Sequence, residues 1–135
     1  MDKALNYLAL ARKAGIAELG EEPVGGAARA GKAYVILVAK DASDHTWRRS
    51  LSFAAGTEQQ CIRLPYTKDE MGLAIGRTSL AVAAITDVAL ALALVSSLPQ
   101  PPATAVEVLS AKAQKAKKRK AEAKAHAKNV RKGKK

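Results

Sequence analysis

The strongest constraint on this chain is an alternation: four short apolar runs, each too brief for a helix, separated by amphipathic segments with recognisable caps. Residues 33–39 (A-Y-V-I-L-V-A) are continuously apolar and β-branched, the pattern of a strand covered on both faces. Residues 16–19, 60–64 and 80–85 supply three more short strands. The segments between them read as helices. Leu5, Leu8 and Ala11 share a face over 2–14, which Gly15 ends. Gly20-Glu21-Glu22-Pro23 opens a helix to about residue 30, with acids in the first turn and Pro where its missing N–H is harmless. Residues 41–44 form a turn and cap that lead a helix over 45–55, closed by Gly56. Thr67 and Glu70 make a capping box (T-x-x-E) for a helix ending before Gly76, and Asp87 caps a last one over 88–97. Connections this short permit only local crossovers. The pattern therefore predicts an α/β fold: a three-layer α/β/α sandwich around a small, mixed four-stranded sheet.

Charge divides the 135 residues differently. Of 23 Lys+Arg, twelve lie from Lys112 onward beside a single acid, Glu122, so the end of the chain carries the whole net charge of +11 while residues 1–111 balance to zero. Pro99, Pro101 and Pro102 mark the boundary. The expected organisation is a globular domain over 1–98, a Pro-containing linker over 99–110 and an Ala/Lys-rich basic tail over 111–135. On a helical wheel the tail's cations surround the axis and leave no face to bury, so it is expected to be disordered or a fraying helix by itself. Its cations, Lys112, Lys115, Lys117, Lys118, Arg119, Lys120, Lys124, Lys128, Arg131 and Lys132 ahead of the last two lysines, are dense enough to favour binding phosphate over merely solubilising the chain.

Several function classes are unsupported. There is no G-x-x-x-x-G-K-[ST] loop and no G-x-G-x-x-G. Ser43, Asp44 and His45 are sequence neighbours at a helix start, a poor arrangement for triad geometry. An enzyme is not expected, nor is any cofactor or metal site: His45 and His126 read as surface residues without metal partners. Cys61, the one cysteine, reads as a small core residue in a strand and cannot form an internal disulfide. The apolar stretch over 80–98 contains Asp87 near its middle, and a central Asp costs roughly 2.5–3.5 kcal/mol on insertion. A strand and a capped helix account for that stretch better than a membrane span. With no cleavable apolar leader after Asp2 and Lys3, the expected location is the cytoplasm.

Six segments in order, L-A-L-A-R-K-A-G (8–15), L-G-E-E (19–22), A-A-R-A-G-K-A (27–33), V-I-L-V-A-K-D-A-S (35–43), T-K-D-E-M-G-L-A-I-G (67–76) and V-A-A-I-T-D (82–87), resemble a known group. It is the superfamily of ribosomal proteins L-seven-Ae and L-thirty-e, kink-turn RNA binders, and the likeness is to its small bacterial branch. The resemblance covers residues 4 to about 98. It implies an RNA-binding surface at the loop opening the second helix, with two neighbouring loops. Position by position these are Gly20, Glu21, Glu22 and Gly26, then Lys40 and the turn to Ser43, Lys68, and the loop Arg77, Thr78, Ser79 and Leu80. A helix N-terminus suits phosphate, because its free N–H groups carry partial positive charge. Where the strong RNA binders of the group have Asn-Glu and a later Lys, this chain has Glu22-Pro23 and Gly26.

The expected function is a monomeric, non-enzymatic RNA-binding protein associated with the ribosome, in which the body recognises bent RNA and the tail adds sequence-independent affinity. The alternative is a protein-interaction module that docks on a translation or ribosome-assembly factor, with only the tail touching nucleic acid. A third reading, a DNA-compacting protein, rests on the tail's composition. Trp47 is expected to pack at the core or rim, with base stacking as the sharper alternative. Gly25 and Gly26 are expected either to admit RNA closely or to let their helix lie tight on its neighbour.

Overall fold

The computed structural model describes residues 2–133, with side chains to residue 125, so Lys128, Arg131 and Lys132 lie outside the described side chains. The elements run α1 (Lys3–Lys13), β1 (Ala17–Leu19), α2 (Glu21–Arg29), β2 (Val35–Val38), α3 (Asp44–Ala54), β3 (Gln60–Arg63), α4 (Lys68–Ala74), β4 (Val82–Ile85), α5 (Val88–Ser96) and α6 (Ala103–Gly133). The strand order is β1-β4-β2-β3. β4 lies antiparallel to both β1 and β2, pairing Ala17 and Val35 with Ile85, whereas β2 and β3 are parallel, pairing Val35 with Gln60. The sheet is therefore mixed, with β4 alone running against the other three strands.

Central β2 is buried along its whole length, which explains its unbroken apolar sequence. Alternate side chains leave it on opposite faces. Val35 and Leu37 join Ala83, Ile85 and Ile62 under α1, α4 and α5, while Ile36 and Val38 join Val82, Ala84 and Cys61 under α2 and α3. Three layers result. The caps fall where the sequence places them: Ser43 Oγ accepts from Thr46 N–H, Thr67 and Glu70 form the reciprocal box, and Asp87 Oδ2 accepts from Leu90 N–H at 2.9 Å. With Asp87 at a helix start, the apolar stretch 80–98 is a buried strand followed by a packed helix. No helix among the described residues is long and apolar enough to cross a membrane.

The expected linker over 99–110 is corrected. α6 begins at Ala103, with Val106 N–H donating to Pro102 O at 3.0 Å; it packs on α5, Ala105 and Leu109 join the core there, and Ala113 is buried as well. These residues recur at a four-residue spacing and form a short apolar stripe, and full burial of a Leu is worth roughly 1.5–3 kcal/mol. The basic segment starts on that same helix. From Lys117 to Ala125 every residue is exposed, as expected for a stretch with cations all round.

Candidate nucleic-acid interface

The carboxyl ends of β1, β2 and β3 and the amino end of β4 meet at one end of the sheet. Backbone hydrogen bonds join the loops there. Gly20 N–H donates to Val82 O at 2.9 Å, Ala39 N–H to Ala81 O at 2.9 Å, Lys40 N–H to Tyr66 O at 2.8 Å, and Leu80 N–H to Lys68 O at 3.0 Å. A side chain adds a further link, since Asp41 Oδ1 accepts from Lys68 N–H at 2.8 Å. The loops expected to hold the site, far apart in sequence, thus form one connected rim.

Gly20 is the N-cap of α2 with φ of 96°, a conformation L side chains rarely adopt, and it caps through backbone alone. Pro23 has no N–H and Val24 N–H is taken by Gly20 O at 3.0 Å, so Glu21 and Glu22 hold the free donors at this helix end. Their carboxylates are not free. Arg49 of α3 reaches across, with Nη2 2.8 Å from Glu22 Oε1 and Nη1 3.4 Å from Glu21 Oε2. The guanidinium also sits 5.6 Å from the Phe53 ring centroid. One cation against two carboxylates leaves the helix start negative. Gly25 makes this crossing possible, because a Cβ there would stand 2.9 Å from the Phe53 ring; at Gly26 a Cβ would meet nothing within 4 Å. Gly25 therefore serves helix packing, and Gly26 faces open space one turn along α2.

Around this negative centre the rim loops carry the cations Lys40, Lys68 and Arg77 and the acid Asp41. Lys40, Arg77, Thr78 and Ser79 are exposed and Lys68 is half-buried. Leu80 departs from its expected place on the surface: it is 4% exposed and anchors the rim from within the core. The Arg77–Ser79 loop is held close by Gly72, where a Cβ would fall 2.6 Å from Ser79 N. Tyr66, buried beneath the rim, donates its hydroxyl to Asp2 Oδ2 at 2.8 Å; burial, then the Asp2 bond, push its pKa up to about 12.

Two contributors escaped the sequence reading. Arg49 is one, since which side of α3 faces α2 depends on how closely the glycine lets them approach. Arg63 is the other: its guanidinium lies 4.5 Å from the Trp47 ring centroid, so half-buried Trp47 packs against the α2/α3 layer and carries a cation on its ring. Arg63 and Lys40 share a cleft of about 410 Å³ with Pro65, Leu98 and Pro102 at the rim's edge. Cys61 is half-buried, and burial raises its thiol to about 11, so it is an inert packing residue. Among the described residues no group of His, Cys, Asp and Glu could hold a metal.

The basic segment of α6 lies elsewhere. Lys112 Nζ pairs with Glu58 Oε2 at 2.8 Å, beside the amino end of β3, and this pairing lowers the Glu58 pKa. Lys117 and Lys120 border a cleft with Tyr34, Thr86 and Asp87, at the amino end of β2 and carboxyl end of β4. Lys115, Lys118, Arg119 and Lys124 are exposed along the same helix.

No family model and no curated protein matches this chain. Solved structures do. A protein of unknown function from Bacillus halodurans C superposes with a TM-score of 0.69 at 24% identity, over 74% of this chain and 100% of that one. The Giardia lamblia 15.5kD RNA binding protein superposes with a TM-score of 0.62 at 17% identity, over 74% of this chain and 85% of that one. At these identities the likeness is one of fold.

Proposed function

We propose that this chain is a non-enzymatic RNA-binding protein of the ribosome-associated kind, reading bent, kink-turn-like RNA with the loop rim and holding phosphate with α6. The observation that carries the proposal is the rim itself. The loops that the resemblance assigns to RNA are stitched together by backbone hydrogen bonds, with Lys40, Lys68 and Arg77 around a glycine-capped helix start. A rigid rim suits recognition of an RNA shape, because its loops need little ordering on binding. The fold likeness to an RNA-binding protein supports the same reading. The same proposal takes the protein to be cytoplasmic and monomeric, without cofactor or membrane attachment.

The test compares the affinity of the full chain for a kink-turn RNA and for a straight RNA duplex of equal length at fixed salt. A preference for the kink-turn that disappears in the triple variant Lys40→Glu, Lys68→Glu, Arg77→Glu supports the proposal. Equal affinity in the unaltered protein overturns it and favours an interaction module with a nucleic-acid-binding α6. The negative helix start, with Glu21 and Glu22 sharing one Arg49, is the feature that speaks for that second reading.

A further inference from the structure

The rim and the exposed cations of α6 lie at opposite ends of the sheet. Pro102, just before α6, lines a cleft with Lys40 and Arg63 at the rim end, whereas Lys112, nine residues into the helix from Ala103, pairs with Glu58 at the other end. α6 therefore runs the length of the body and away from the rim. About 17 Å of extended chain separates Ala39 from Tyr34 along β2. From Lys117 onward the helix continues for about another 24 Å. A compact RNA element seated on the rim has the protein body between it and Lys117, Lys118, Arg119, Lys120 and Lys124.

From this separation we infer that the protein bridges two RNA segments: a bent element on the rim and a separate double-stranded segment along α6. The inference rests on the proposed reading of the rim and adds a second site to it. Nothing in the α6 segment is suited to choosing a sequence. Its exposed side chains over 117–125 are Ala, Lys and Arg with Glu122 and no aromatic, so it meets phosphate and offers no platform for bases. The neutral body beside it supplies no competing cationic field. Two sites facing opposite ways on one small protein tether one RNA close to another, raising the local concentration of the second segment without any new contact between the RNAs.

The experiment immobilises a kink-turn RNA, adds the full chain, and measures capture of a labelled straight RNA duplex that does not pair with the first. Capture should rise and then fall as protein is added, because excess protein gives each RNA its own copy. The variant Lys117→Gln, Lys118→Gln, Arg119→Gln, Lys120→Gln, Lys124→Gln should capture at least tenfold less duplex even when the immobilised RNA is saturated. Saturation of the kink-turn RNA without duplex capture overturns bridging and leaves the rim reading intact. Capture that climbs to a plateau without falling also overturns it, since two protein copies then make the link. Failure to hold the kink-turn RNA at all overturns both.

Discussion

The proposed contribution of α6 to RNA affinity has a magnitude that follows from its geometry. Six described cations beyond Lys112 are candidates for phosphate: Lys115, Lys117, Lys118, Arg119, Lys120 and Lys124. Lys112 is left out because it is engaged by Glu58 at 2.8 Å. A straight helix presents only about half of an all-round set to one duplex, so about three phosphates are met. Each contact adds about −0.9 to the slope of log K against log[salt]. Replacing all six by Gln, whose helix propensity matches that of Lys, should therefore flatten the slope by about 3. Between 50 and 200 mM salt this amounts to a loss of roughly 40-fold that the unaltered protein suffers and the variant is spared. Fluorescence anisotropy with a straight RNA duplex measures it. A slope that changes by less than about one unit would refute the assignment of phosphate binding to this helix. The companion variant Lys112→Gln should leave the slope unchanged.

Other outcomes are equally specific. Leu109→Ala removes a fully buried side chain that ties α6 to the core, and should lower stability by about 2–5 kcal/mol in urea unfolding; a loss below about 1 kcal/mol would mean that these turns are not part of the cooperative body. Gly72→Ala drives a methyl into the Ser79 backbone and should cost about 1–3 kcal/mol, with amide chemical-shift changes concentrated in the Arg77–Ser79 loop. Arg49→Met leaves Glu21 and Glu22 uncompensated at the rim, so kink-turn affinity should fall while circular dichroism stays native. Tyr66 is held protonated in the fold with a pKa of about 12, above the ordinary phenol value; the folded state then binds the proton that the unfolded chain has released. Stability should fall as pH rises from about 10 to about 12, and Tyr66→Phe should be flatter across that window in equilibrium unfolding.

Much of the architecture was local and so could be read from the sequence. The runs around Val35–Val38 and Val82–Ile85 are strands because β-branched or small apolar residues continue without polar alternation, and both are buried throughout. Ser43, Thr67 and Asp87 start helices because their oxygens satisfy N–H groups three residues on, a contact needing no distant partner. The loops at Gly20, Lys40, Lys68 and Arg77 were expected to act together, and the structure shows that they meet; the charge division came from counting. The linker expectation failed because Ala105, Leu109 and Ala113 are sparse and small, and such a stripe is recognisable only with a surface to receive it.

The sequence by itself determined the succession of strands and helices, the caps that start them and the confinement of net charge to the last turns of chain, since each depends on neighbours within a few residues. Tertiary structure alone decided the order β1-β4-β2-β3, the crossing that delivers Arg49 to Glu21 and Glu22, and the course of α6 from the rim to the opposite end. Those three depend on which faces meet across tens of residues. Contact geometry settles that, through a glycine that lets two helices close and a leucine that finds a pocket, and neither effect has a local signature.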